Sequence, residues 1–325
     1  MRKPAAKIIT SSCDLPEFES RSFFHSKSLF LLYEQTPRQK PYMVVLETDD
    51  GEIVGHLLAV VRYRLSLFPP YIYSHCRIYG EGEYIKCDMS ANDLFGIALR
   101  ALTRKLHNRV LYMELSNLST KMFGYKLLRE NQYFPIQWMG IHNSLHSKDP
   151  KERLSEKMLK RIDNAYHKGV ETIDAESEED IYEFFRLLKE HNRFKYRRYI
   201  PDIIFFKELQ KSGNGRLFVT KYKNRIIGCC ACAFSEGNAF LWYSAFRRKS
   251  FIMLHPDTVT IWHAIMYAHK NGYAHIEFMD VGLPFRKNPF REFILRFGGK
   301  PVSTYRWFRF SFKWLNSIFS WLYRD

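Results

Sequence analysis

Hydrophobic positions along this chain switch between a period of two and a helical period, and the switches come in the same order twice. In the first half, YMVVLETDDGEIVGHLLAVV (42–61) reads as strand, Asp-Asp-Gly turn, strand. In the second, RLFVTKYKNRIIGCCACAF (216–234) has the same form with Lys223-Asn224 at the turn, and EIVG matches RIIG, so Gly55 aligns with Gly228. A further strand follows in each half, YIYSHCRIYG (71–80) and AFLWYSAF (239–246). A helix and a strand then close each unit. ANDLFGIALRALTRKLHNRVLYMELS parallels HPDTVTIWHAIMYAHKNGYAHIEFMD, which sets Glu114 opposite Glu277. The pattern predicts two copies of a mixed α/β unit, with domains at 1–147 and 148–325.

Ser-Lys-Asp-Pro (147–150) marks the turn between them. Leu154, Met158, Ile162 and Ala165 then recur at helical spacing up to Gly169, predicting a basic linker helix. Residues 178–190 and 202–210 predict two more helices. In PFREFILRFGG (289–299), Pro289 suits a first helical turn and Gly298 a stop, with Phe290, Phe293, Ile294 and Phe297 as the buried stripe. STYRWFRFSF alternates as a last strand. KWLNSIFSWLYRD then places Trp314, Leu315, Ile318, Trp321 and Leu322 along one helical stripe. Two readings of that amphipathic C-terminal helix stay open: docked against a core, or lying on an anionic membrane through residues 313–325.

Charge changes the picture more than composition does. Lys and Arg outnumber Asp and Glu 50 to 34, a net +16, which favours anionic partners such as nucleic acid, nucleotide-linked substrates or an acidic leaflet. No basic-rich tail is present. No apolar run approaches the ~20 residues of a membrane span, so a cytoplasmic protein, peripheral at most, is expected. Six cysteines fit that compartment; Cys230 and Cys232 share one strand face with Cys229 on the other, a poor zinc geometry, so no metal is expected.

Two helices, an antiparallel hairpin, a further strand, a helix and a strand resemble the GNAT acyltransferase fold. Two such units joined by a basic helix resemble its FemAB-like branch of peptidyl and aminoacyl transferases. LSEKMLKRIDNAYHKGV is similar to that family's linker, FMDVGLP (278–284) to its Asp-Leu-Gly-Gly turn, and FILRFGG (293–299) to its Phe-Lys-x-x-Phe-Gly-Gly element, with Ile294 in place of the Lys and Arg291 and Arg296 as the nearby cations. The resemblance implies amide formation on an amino-bearing cell-envelope precursor, from acyl-coenzyme A or from aminoacyl-tRNA. MLHPDTVT stands where a GNAT pyrophosphate loop would carry glycines.

Candidate site residues follow. Asp280, ending a strand before a turn, is an acid/base or orienting group, or a turn cap. Tyr243 is a leaving-group proton donor, or a buried strand tyrosine. His255 sits where a donor-binding turn is expected. NRFKYRRYIP offers Arg193, Arg197 and Arg198 to a substrate phosphate, or is a solvated loop. Non-catalytic alternatives are a membrane- or nucleic-acid-binding protein, or a scaffold for envelope synthesis, on the same tandem fold.

Overall fold

The structure, a computed structural model, describes residues 4–65, 69, 71–85, 87–193, 198–279 and 281–323. It divides into two compact units, Met1–Trp138 with Ser303–Asp325, and Met139–Val302.

In the first unit, β1 (Ala5–Ile9), α1 (Lys27–Gln35), β2 (Gln39–Glu47), β3 (Ile53–Leu65), β4 (Ile72–Tyr79) and β5 (Glu83–Tyr84) lead to α2 (Ala91–Leu106). Next come β6 (Tyr112–Ser116), α3 (Tyr125–Glu130) and the start of β7 (Phe134–Ser144). The second unit holds the end of β7, α4 (Glu156–His167), β8 (Val170–Asp174), α5 (Glu178–Asn192), α6 (Ile203–Lys211), β9 (Gly215–Tyr222), β10 (Arg225–Ser235) and β11 (Asn238–Phe246). It continues through α7 (Pro256–Lys270), β12 (His275–Phe278), α8 (Pro289–Leu295) and the start of β13 (Lys300–Phe310), after which α9 (Lys313–Leu322) belongs to the first unit.

Strand order in the first unit is β1-β2-β3-β4-β6-β13-β7, with β4 and β6 parallel. In the second it is β7-β12-β11-β10-β9-β8, with β11 and β12 parallel. The tail from Ser303 therefore departs from the expected 148–325 domain. Trp307–Phe310 of β13 pair with β6, and Trp307 is fully buried in the first core. Alternation identified β13 as a strand, but pairing partners are set by burial that alternation does not encode.

The repeat is visible in detail. Val54 in β3 and Ile227 in β10 are each skipped in the pairing with the preceding strand, so both hairpins carry a bulge beside the aligned Gly55 and Gly228. A Cβ on Gly228 would collide with Thr260 Oγ1 of α7. On Gly55 it would strike the Tyr84 ring. Both helices are held by apolar faces. α2 buries Leu94, Leu99 and Leu102 against Val44, Leu57 and Leu115. α7 buries Ile261 and Ile265 with Cys230, Cys232, Leu241 and Ile276. Cys229 turns the other way, its thiol reaching the Phe184 carbonyl of α5. The short helix α8 buries Ile294, Phe297 is buried just past its end, and Gly298 follows at φ +85° in the turn.

α9 attaches through side chains outside the predicted stripe. Asn316 accepts from Phe310 N (2.9 Å) and donates to Gln132 O (3.0 Å), and Phe319 stacks on Phe310 at 4.9 Å. Leu315 is half-buried, whereas Trp314, Ile318, Trp321 and Leu322 are exposed. Among the described residues no helix is long and apolar enough to cross a membrane.

Candidate functional site

β11 and β12 run parallel from Asn238 and His275 to Leu241 and Phe278, and the Met279 amide adds a bond to Leu241 O (3.3 Å). There the strands part. Trp242 is the extra residue of a bulge against β10, where Ala231 faces Tyr243 and Cys232 faces Leu241. Its carbonyl accepts from Arg198 Nη2 at 3.3 Å. On the other side, Gly282 O pairs with Met139 N of β7 (3.1 Å). The result is a wedge whose walls are backbone. In the first unit β4 and β6 stay paired one position further, to Tyr79 and Ser116, with Gly80 N bonded to Ser116 O.

Side chains on the sheet separate the units further. Ile276 and Phe278 enter the core under α7, so His275 and Glu277 face the opposite side. Glu277 lies beside Phe240 of β11 and His142 of β7. Its aligned counterpart Glu114 lies beside Arg77 and Phe308. Glu114 is locked: Arg77 Nη1 and Arg306 Nη1 both engage Oε1, and all three side chains are at most 10% exposed. Glu277 instead has only His142 Nδ1, at 4.0 Å, among the described residues. Burial raises its proton affinity. The His142 ring lies 4.2 Å from that of His275, whose Nδ1 meets Asn238 Oδ1 at 3.0 Å, and His146 packs edge-on to His275 at 5.0 Å. Burial first, then mutual repulsion, lowers the pKa of His142 and His275, which favours neutral rings. Glu277 thus adjoins the His142 and His275 rings, beyond which lies exposed His146. Among the described residues no group of three or more His, Cys, Asp or Glu is arranged to hold a metal ion.

Both long helices carry their own carboxylate at the N-terminus, where a pyrophosphate would otherwise find free amides. At α7, buried Asp257 accepts from Thr258 N (2.9 Å) and faces Arg248 Nε at 3.4 Å. At α2, Ser90 caps Asp93 N (3.2 Å) and donates to Asp93 Oδ2 (2.6 Å).

The expected site residues are only partly brought together. Tyr243 stands in the wedge wall, buried, its ring edge-on to Phe206 at 5.3 Å and 5.9 Å from the Arg198 guanidinium. Asp280 and Arg197 lie outside the described residues. Arg193 is exposed at the end of α5. His255 adopts φ +45° at the α7 N-cap without capping through its side chain. Burial, then Arg161, lowers its pKa, so it supplies little positive charge for a phosphate. Arg296 is exposed at the α8 C-cap. Arg291 turns its guanidinium to backbone carbonyls. Nη1 donates to Leu283 O and Nη2 to Arg286 O, both at 2.7 Å, so its donors are spent on the 281–286 turn. Glu277 and its histidines were not among the expected residues. The signal was present in the alignment of Glu114 with Glu277, where one unit supplies Arg77 and the other Phe240.

This geometry, a parallel strand pair that separates beside a bulge and under a long helix, agrees with sequence comparison. Residues 153–287 match the family model described as Acetyltransferase (GNAT) domain, so the second unit is a GNAT domain. With the repeat, the fold is similar to that of tandem GNAT structures and of FemX. Among similar solved structures, FemX is 12% identical with a TM-score of 0.60, over 93% of this chain and 94% of that one. The C-terminal domain of a putative lysylphosphatidylglycerol synthetase from Agrobacterium fabrum is 8% identical with a TM-score of 0.57, over 91% and 90%. A tandem GNAT protein of the clavulanic acid pathway is 13% identical with a TM-score of 0.52, over 85% of each chain. At these identities the likeness is one of fold. No curated protein sequence matches.

Proposed function

We propose that this chain is a cytoplasmic N-acyltransferase that uses the β11/β12 wedge to form an amide on an amino-bearing envelope precursor, with aminoacyl-tRNA as donor. The observation that supports the location is the end of the β11/β12 ladder at Leu241 and Phe278, beside the Trp242 bulge and next to Glu277, whose counterpart Glu114 is locked between Arg77 and Arg306. Closure of the α7 entry by Asp257, and of the α2 entry by Ser90 with the Asp93 carboxylate beside it, favours a donor other than acyl-coenzyme A. A fold shared with FemX and with a synthetase of lysylphosphatidylglycerol, an aminoacylated lipid, supports an envelope acceptor. The net charge of +16 suits tRNA.

In this proposal the acceptor ammonium gives its proton to Glu277, whose raised proton affinity narrows the gap to the amine. The amine attacks the acyl carbonyl, a C–N bond forms, and backbone groups of the wedge hold the oxyanion. As the C–O bond to the tRNA ribose breaks, Tyr243 in the wedge wall gives its proton to the ribose oxygen and takes in return the proton that the new amide nitrogen sheds. Asp280, which follows Met279 in the chain, is assigned an orienting role. α9 supplies peripheral contact with the inner leaflet through its exposed apolar face.

The test is binding and transfer with charged tRNA and acyl-coenzyme A in parallel. Stabilisation and acyl transfer with charged tRNA alone are expected. Transfer from acyl-coenzyme A with no effect of tRNA would overturn the donor. No transfer from either donor onto envelope precursors, with membrane binding intact, would return the chain to a non-catalytic role.

A further inference from the structure

α9 presents two adjoining faces to solvent. Trp314, Ile318, Trp321 and Leu322 are 65%, 52%, 73% and 59% exposed, a concentration of apolar surface that a water-facing helix does not carry without a use. Beside them, Lys313, Asn316, Ser317 and Ser320 recur at three- and four-residue spacing and form one wall of a cavity of about 450 Å³. Arg129, at the end of α3, supplies a second cation from across it, and Trp321 belongs to both the cavity lining and the apolar face. Among the described residues neither Arg129 nor Lys313 pairs with a carboxylate.

We infer that this cavity holds the phosphate headgroup of an anionic phospholipid while the apolar face of α9 enters the bilayer surface beside it. Charge complementarity selects this occupant. Two cations without a carboxylate partner and the hydroxyls of Ser317 and Ser320 suit a phosphodiester, and the net +16 draws the molecule to an anionic leaflet. The apolar face fits the lipid that the same headgroup carries. An apolar protein partner would cover the tryptophans but leave the cations desolvated and unpaired. Tryptophan at the edge of a polar cavity also matches the headgroup depth at which indoles settle. The inference rests on reading α9 as a membrane-contact helix, and adds a specific headgroup site to it.

The experiment is vesicle flotation of the full chain on phosphatidylcholine alone and on phosphatidylcholine with phosphatidylglycerol. Wild type should prefer the anionic vesicles. Arg129→Gln with Lys313→Gln should lower that preference roughly 30-fold, from two basic contacts at the surface. Arg129→Lys with Lys313→Arg should restore most of it. Trp314→Ser with Trp321→Ser should weaken binding to both vesicle types. Unchanged headgroup preference in the Gln variant, with binding lost in the Ser variant, would overturn the headgroup site and leave the membrane helix standing. No flotation of wild type would overturn both. A Trp321-dependent emission change, absent in Trp321→Phe, that inorganic phosphate reproduces in full without vesicles would overturn the lipid assignment.

Discussion

Glu114 and Glu277 occupy aligned positions, and replacing each with Gln should give opposite phenotypes. Glu114 sits between Arg77 and Arg306, with side-chain exposures of 10%, 8% and 10%. Removing its charge leaves two buried guanidinium groups facing a neutral amide. Breaking a buried pair in this way costs about 3–5 kcal/mol, a large part of a typical domain's stability. Glu277 is 37% exposed and its partner imidazole is 4.0 Å away, so Glu277→Gln should cost under about 1 kcal/mol. Its effect should fall on turnover instead, a drop of about 10² to 10⁴, or about 3–5 kcal/mol of barrier, as for loss of a general base. The raised pKa of Glu277 means that wild-type kcat should fall as pH drops through it, and Glu277→Gln should lose that limb. Urea denaturation of both variants, with kcat against pH for Glu277→Gln, reads all of this. Full turnover in Glu277→Gln would remove the proton acceptor. Unaltered stability in Glu114→Gln would refute the contrast between the two units.

Three further outcomes are expected. Burial holds His25 at a pKa of about 3, below its unfolded value near 6.5, so the first unit gains stability above pH 6.5 and loses it as pH falls toward 3. By linkage about 2 kcal/mol should vanish between pH 7 and 5 in urea titrations, and His25→Gln should flatten that slope. Arg291→Ala should cost about 1–2 kcal/mol and lower kcat with donor affinity unchanged, because it releases the 281–286 turn; lost donor affinity at unchanged stability would make it a ligand contact instead. Gly228→Ala should destabilise by about 1–3 kcal/mol in thermal unfolding, because the new methyl meets Thr260 of α7 and Pro256 O at 3.2 Å.

Much of the fold was legible because it is written in periodicity. The Lys223-Asn224 turn takes φ +47° and +60°, as a two-residue hairpin turn requires, and the two hairpins align down to their bulges. The site was less legible, because its chemistry depends on lateral neighbours from other strands. Glu114 and Glu277 are the same letter in the same register, and only Arg77 against Phe240 and Arg306 against His142 separate a locked carboxylate from a half-exposed one. Arg291 shows the reverse problem. A cation beside a family-like element suggests a substrate contact, yet its carbonyl partners belong to a turn whose path no periodicity encodes. Asp257, the third residue of HPDTVT, could have been recognised as filling the helix entry.

The return of β13 to β6 also sets an order of events during synthesis. β6 is made early, but its outer edge is covered by Trp307–Phe310, which leave the ribosome only after the whole second unit. Until then the nascent first unit presents an unpaired strand edge and an empty slot for Trp307. Chain shortened before β13 should therefore accumulate as aggregates through its first unit, while its second unit keeps the strand order β7-β12-β11-β10-β9-β8 intact.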